Sequence, residues 1–167
     1  FIALQCCCVS AYAQRNRIPF EHIGTQQGLS ESNILSIIQD SRGFMWFGSW
    51  DGLNKYDGYK ITVYKNNPLD HNSISNNYIN KISEGKDGNL WLATNDGLNF
   101  FDRKKEVFKR FKHDANNNNS ISCNILHEVM CDASGLLWIA TAEGLDRYDP
   151  STGRFEHLGS GYDKDSK

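Results

Sequence analysis

Basic charge is nowhere in excess in this chain: Lys and Arg number 18 against 20 Asp and Glu, for a formal net charge of −2. Without a positive stripe there is no footprint for nucleic acid, and no Lys/Arg-rich segment is present to hold an anionic membrane surface. Metal-ligand spacing is lacking as well. His22, His71, His113, His127 and His157 are scattered, with no i, i+4 pair and no C-x-x-C, so neither a metal nor another cofactor is expected. No nucleophile constellation, Gly-rich phosphate loop or paired-carboxylate motif stands out, and the segment reads as non-enzymatic.

Long apolar runs are missing too. The uncharged stretch Phe1 to Ala13 is 13 residues long, short of the roughly 20 that cross a bilayer. Its apolar start and its Ala11-Tyr12-Ala13 end match a signal-peptidase site, so residues 1–13 are expected to be the remnant of an export signal that has lost its true start. The Leu4-Gln5 pair before Cys6 makes a poor lipobox, which disfavours lipidation. Removal of the leader leaves only Cys123 and Cys131 of five cysteines. If the residues between them are extended at about 3.3 Å each, the pair lies too far apart for a disulfide.

With 39% hydrophobic and 12% aromatic residues the chain can build a core, and its strongest feature is self-similarity. The block Met45-Trp46-Phe47-Gly48-Ser49 returns as Leu90-Trp91-Leu92-Ala93-Thr94 and again as Leu137-Trp138-Ile139-Ala140-Thr141. The same offsets carry Gly52-Leu53 to Gly97-Leu98 and Gly144-Leu145, and Tyr56-Asp57 to Phe101-Asp102 and Tyr148-Asp149. A unit of this length could be a helix pair or a four-stranded blade. Gly on both sides of each Trp block leaves room only for short segments, and the apolar block bounded by turn formers suits a buried strand.

The reading is all-β: a partial β-propeller of about three four-stranded antiparallel blades. Strands are predicted near 34–39, 44–49, 53–57 and 61–65, near 79–84, 89–94, 98–102 and 106–111, and near 126–131, 136–141, 145–149 and 154–158. The spacing of Ile34 to Ile37 and of Ile79 to Ile82 suits a helix or a bulge better than a flat strand. Residues 98–134 lack Gly and Pro, so 103–112 could be helical on propensity, but the matching slot holds Ile61-Thr62-Val63-Tyr64 and favours a strand. The predicted divisions are a lead segment 14–27, blades at 28–71, 72–118 and 119–160, and a truncated continuation at 161–167. Phe20-Glu21-His22-Ile23 resembles Phe155-Glu156-His157-Leu158, so an orphan strand near 18–23 is expected to close a ring whose last blade lies further along.

The phrases Gly28-Leu29-Ser30, Ile37-Ile38-Gln39-Asp40-Ser41-Arg42-Gly43-Phe44-Met45-Trp46-Phe47-Gly48 and Asp51-Gly52-Leu53-Asn54-Lys55-Tyr56-Asp57-Gly58-Tyr59 resemble the opening of the two-component regulator propeller family. The resemblance runs from about Phe20 to Leu158. It implies the periplasmic sensor region of a hybrid two-component histidine kinase, anchored in the inner membrane through a later transmembrane helix. It also implies an oligosaccharide signal and a homodimer in the full receptor, while the kinase itself is not assignable to these residues.

Trp46, Trp91 and Trp138, with Leu53, Leu98 and Leu145, recur in every unit and are read as core. Asp57, Asp102 and Asp149 are read as turn caps. A ligand is better recognised where the units differ. The turn between the second and third strands shares a face with the connection between blades, which puts Trp50, Asp51, Asn95, Asp96 and Glu143 forward as ligand-binding candidates. Trp50 has Asn95 and Ala142 as counterparts, so packing does not demand an aromatic there, although a Trp resting on the neighbouring blade would serve equally. Asn116 to Asn119 read as a solvated linker. The alternatives are a secreted propeller lyase or hydrolase, with His71, His113, Asp51 and Asp96 converging on a pocket, and a scaffold that docks a protein.

Overall fold

The computed structural model describes residues 19–158. The residues expected as an export leader, the start of the expected lead segment and the expected continuation at 161–167 lie outside the described residues. What is described forms three four-stranded antiparallel sheets, each a simple meander. The first contains β1 (Ile34–Gln39), β2 (Met45–Ser49), β3 (Gly52–Tyr56) and β4 (Ile61–Tyr64). The second contains β5 (Ile79–Glu84), β6 (Leu90–Thr94), β7 (Gly97–Asp102) and β8 (Val107–Phe111), and the third β9 (Leu126–Cys131), β10 (Leu137–Thr141), β11 (Gly144–Asp149) and β12 (Arg154–Leu158). The predicted strands are present with no end shifted by more than one residue, and 107–111 is a strand rather than a helix.

The spacing of three between Ile34 and Ile37 is a bulge. The register of β1 on β2 slips between Ile34 and Ser36, that of β5 on β6 between Ile79 and Lys81, and that of β9 on β10 where Leu126 meets Thr141. In β5 the extra residue lets Ile79 and Ile82 both enter the packing between sheets, whereas Ile37 of β1 is 58% exposed. The hairpin between the second and third strands of each sheet, β2–β3, β6–β7 and β10–β11, needs glycine. At Gly97 φ is +98°, and a Cβ there would stand 2.5 Å from the Phe111 carbonyl oxygen.

The hydrophobic core lies between sheets. Trp46 and Leu53 of blade 1 pack with Ile74, Ile79, Leu90, Phe101 and Phe108 of blade 2, and Trp91 and Leu98 of blade 2 pack with Ile121, Leu126, Leu137 and Tyr148 of blade 3. Trp46 and Trp91 are thus wedges between their own blade and the next. The third blade's equivalent face meets no further sheet among the described residues. Trp138 is accordingly only half-buried and Leu145 is 38% exposed, so neither completes a core here as sequence predicts. Pro19 to Gly24 pair with no strand of the described residues, and Phe20 is exposed. Residues 19–23 of the closing strand expected near 18–23 belong to no sheet among the described residues.

Candidate functional site

Hydrogen bonds define the face that carries the β2–β3 turns. Gly52 N–H donates to the Asn77 carbonyl and Gly97 N–H to the Asn124 carbonyl. Each such turn therefore sits beside the connection leading into the following blade, as the sequence reading requires. Under the turns lies a repeated polar anchor. Asn54 Oδ1 accepts from Ser30 N–H at 2.8 Å and Asn99 Oδ1 from Ser75 N–H at 2.9 Å, while Asp146 Oδ2 takes the same bond from Ser122 at 2.8 Å. All three side chains are buried, so the turns stand on a fixed base. This anchor was not picked out from the sequence, although Ser30, Ser75 and Ser122 share the repeat offsets.

Among the sequence candidates, Trp50 is 47% exposed and stacks on Tyr78, with ring centroids 5.8 Å apart and planes at 18°. Trp50 therefore does rest on the neighbouring connection, yet the stacked pair still presents an aromatic surface to solvent. Asp51 is engaged: Lys65 Nζ lies 2.5 Å from Oδ2 and Asn77 Nδ2 donates to Oδ1 at 3.0 Å. Asp96 is held in the same way by Lys112 at 2.6 Å. Asn95 Oδ1 accepts from Asn80 Nδ2 at 2.8 Å. Glu143 is exposed, and its side chain has no hydrogen bond among the described residues. Trp50, Asp51, Asn95 and Asp96 thus share one face, bridged by Asn77, Tyr78 and Asn80, three residues that sequence reasoning missed because they lie just before or at the start of β5 rather than on a turn.

The convergence proposed for the enzyme alternative is not seen. His113 Nδ1 pairs with the Ile121 carbonyl at 2.8 Å, His71 is exposed, and Asp51 and Asp96 are taken by lysines. No cluster of His, Cys, Asp and Glu able to hold a metal occurs among the described residues. Cys123 and Cys131 are both free thiols. Asp57 and Asp102 accept two backbone N–H bonds each, and Asp149 accepts from Ser151. These bonds hold the three carboxyls below their ordinary range, first through Lys60, Lys105 and Ser151 respectively. In the linker, Asn119 is a strut: it accepts from Phe155 N–H and donates to the Gly153 carbonyl.

The opposite face carries the β1–β2 turns. Asp40 Oδ2 accepts from Trp46 Nε1 at 2.7 Å, and Oδ1 accepts from Arg42 and Phe44 N–H. Arg103 of blade 2 reaches across to Asp40 and also to Glu84 Oε1 at 2.8 Å, with only 3% of its side chain exposed. Burial pushes the Asp40 carboxyl up, but Trp46, the two backbone donors and Arg103 outweigh it, so the group stays below the usual carboxylate range.

Three sheets of one repeat, with the indoles of the first two packed against the sheet that follows, make this a segment of β-propeller. The two-component regulator propeller model matches residues 28–51 and 73–96. The two matches fall on equivalent stretches of the first and second repeats. The chain is 43% identical over 67 residues to a histidine kinase of Formosa agariphila, a match covering 40% of this chain and 5% of that protein. It also resembles the extracellular domain of a protein described as a hybrid two-component system of B. thetaiotaomicron, at 29% identity and TM-score 0.78, over 85% of this chain and 20% of that one. Virginiamycin B lyase from Staphylococcus aureus shares the fold alone, at 17% identity and TM-score 0.58, over 78% of this chain and 42% of that one. The chain thus spans about a twentieth of the kinase and a fifth of the extracellular domain.

Proposed function

We propose that this chain is part of the ligand-sensing propeller of a two-component receptor, working outside the cytoplasm, and that oligosaccharides are its signal. The observation that carries the reading is the Trp50–Tyr78 pair, an exposed aromatic surface on the face that varies between units, flanked by Asn80, Asn95 and Asp51. A sugar ring lays its C–H face on such a surface, and amides and carboxylates around it exchange hydrogen bonds with the hydroxyls. The likeness to a two-component extracellular domain supports the sensor role. Binding would favour one arrangement of two receptor chains over another, and it can signal only through a difference in affinity between them. The test is calorimetry of the longest soluble form of the protein against a panel of oligosaccharides. Heat from at least one sugar, lost in Trp50→Ala, is expected; a panel without heat would refute the sugar reading.

A further inference from the structure

The junction of blades 1 and 2 is filled on the β1–β2 face by Asp40, Glu84 and Arg103. At the junction of blades 2 and 3 the corresponding residues are Gly85, Cys131 and Pro150, which carry no charge and little volume. The place of the ion cluster is taken by a cavity of about 490 Å³, a size that suits a ligand of one or two rings. Trp91, Phe100, Phe111 and Tyr148 form its walls.

One wall is chemically unfinished. Trp46 Nε1 and Trp138 Nε1 each donate to a turn carboxylate, Asp40 at 2.7 Å and Asp132 at 2.9 Å. Trp91 is 4% exposed, and because Gly85 replaces the aspartate, its Nε1–H has no partner among the described residues. The point where a Cβ on Gly85 would stand is 3.1 Å from Trp91 Nε1 and 2.9 Å from Asp87 Oδ1. Both atoms therefore border the bare face of Gly85, and a single hydroxyl standing off the glycine, beyond the Cβ position, can accept from the indole and donate to Asp87 Oδ1, which already accepts from Asn89 N–H and keeps a second lone pair.

We propose that this junction is a second binding site, distinct from the face with Trp50, and that it takes a small neutral aromatic alcohol. The aromatic walls select a planar ring. Lys86 and Lys109 are offset by Asp87 and Asp149 around the cavity, so no net charge calls for an ion. Ser134 and Ser151 border the cavity, but Phe100, Phe111 and Pro150 offer no hydrogen-bond partner, so a ring hydroxylated all round fits them worse than an aromatic one.

The test uses 2-naphthol, with the indole N–H resonances of the longest soluble form of the protein as readout. A saturable shift of the Trp91 resonance is expected. 2-Methoxynaphthalene, which accepts but cannot donate, should bind roughly tenfold more weakly, the worth of one hydrogen bond. Gly85→Asp, which supplies the carboxylate found in the other two units, should weaken 2-naphthol at least about tenfold while the Trp46 and Trp138 resonances stay in place. Should Gly85→Asp disturb the fold, Pro150→Arg closes the cavity from the other blade and should have the same effect. Trp50→Ala should leave 2-naphthol binding unchanged, which separates this site from the oligosaccharide reading. No saturable shift, equal binding of the two naphthalenes, full binding by both cavity variants, or a Trp91 shift with methyl glucoside but not with 2-naphthol would each overturn the proposal.

Discussion

Arg103→Met should be among the most damaging single changes in blades 1 and 2. The guanidinium is the only cation reaching Asp40 among the described residues, and the two side chains are 3% and 0% exposed. Without it Asp40 keeps its bonds from Trp46, Arg42 and Phe44, but the charge sits buried and uncompensated. Removing one partner of such a pair costs about 3–5 kcal/mol. At about 2–4 °C per kcal/mol for a unit of this size, the midpoint should fall by roughly 6–20 °C. Asp40→Asn/Arg103→Met removes both charges and should cost less than Arg103→Met alone, because no orphan ion is left.

The pH dependence gives an independent check. The folded-state Asp40 carboxyl lies below its ordinary value of 3.8, so its contribution is present above that pH and is lost as pH falls through the depressed value. Arg103→Met takes away one cause of the depression and leaves burial to push the carboxyl up. The deficit of the variant should therefore shrink in acid, as Asp40 protonates. Thermal or urea unfolding of the longest soluble form, from pH 3 to pH 8, measures this. The reasoning fails if Arg103→Met shifts the midpoint by less than about 2 °C, or if the double variant is the less stable of the two.

Three further outcomes are expected. Trp46→Ala should cost on the order of 3–5 kcal/mol in urea unfolding, because the indole is 1% exposed and packs between two blades; a loss below about 1 kcal/mol would contradict the wedge role. Gly48→Ala should destabilise by about 1–3 kcal/mol even though Ala93 and Ala140 hold the matching positions, since a Cβ at Gly48 would stand 2.8 Å from Ile79 Cγ2; Gly48→Ala/Ile79→Leu should recover part of the loss. His157 donates to Asp146 Oδ1 at 2.8 Å, and this bond, with help from the Asn118 carbonyl, raises the imidazole above its ordinary 6.5. That stabilisation is fully present below about pH 6.5 and is lost as pH rises through the folded value. Asp146→Asn should flatten stability between pH 6 and pH 9, as read by thermal midpoints.

The strands were legible because three copies of one pattern constrain each other. Arg103 to Lys112 has helix-forming composition, yet the slot it shares with Ile61 to Tyr64 decides for a strand, and β8 follows. The bulge was visible as a spacing of three in an otherwise extended segment. What a repeat cannot reveal is which neighbour a recurring residue faces. Trp46, Trp91 and Trp138 look identical in sequence, but burial falls from nearly complete in the first two to partial in the third, because each needs the blade after its own. On the variable face, Trp50 was found by its lack of aromatic counterparts. The engagement of Asp51 by Lys65 was not legible, since it depends on a β-connection folding back beside the turn.

Deviations from a repeat carry chemistry only when the deviating positions meet in space. Gly85, Cys131 and Pro150 are unremarkable singly. They fall in three different segments, and only the antiparallel register and the packing of blade 3 on blade 2 bring them to one junction. There they replace Asp40, Glu84 and Arg103, which close the junction before it. A turn aspartate in one unit and an arginine following the third strand of the next therefore act as a pair across blades: together they seal a junction, and the loss of both opens it without leaving a stranded charge. Loss of the arginine alone would strand the aspartate, which is why Arg103→Met is the sharper test of this rule than any change at the open junction.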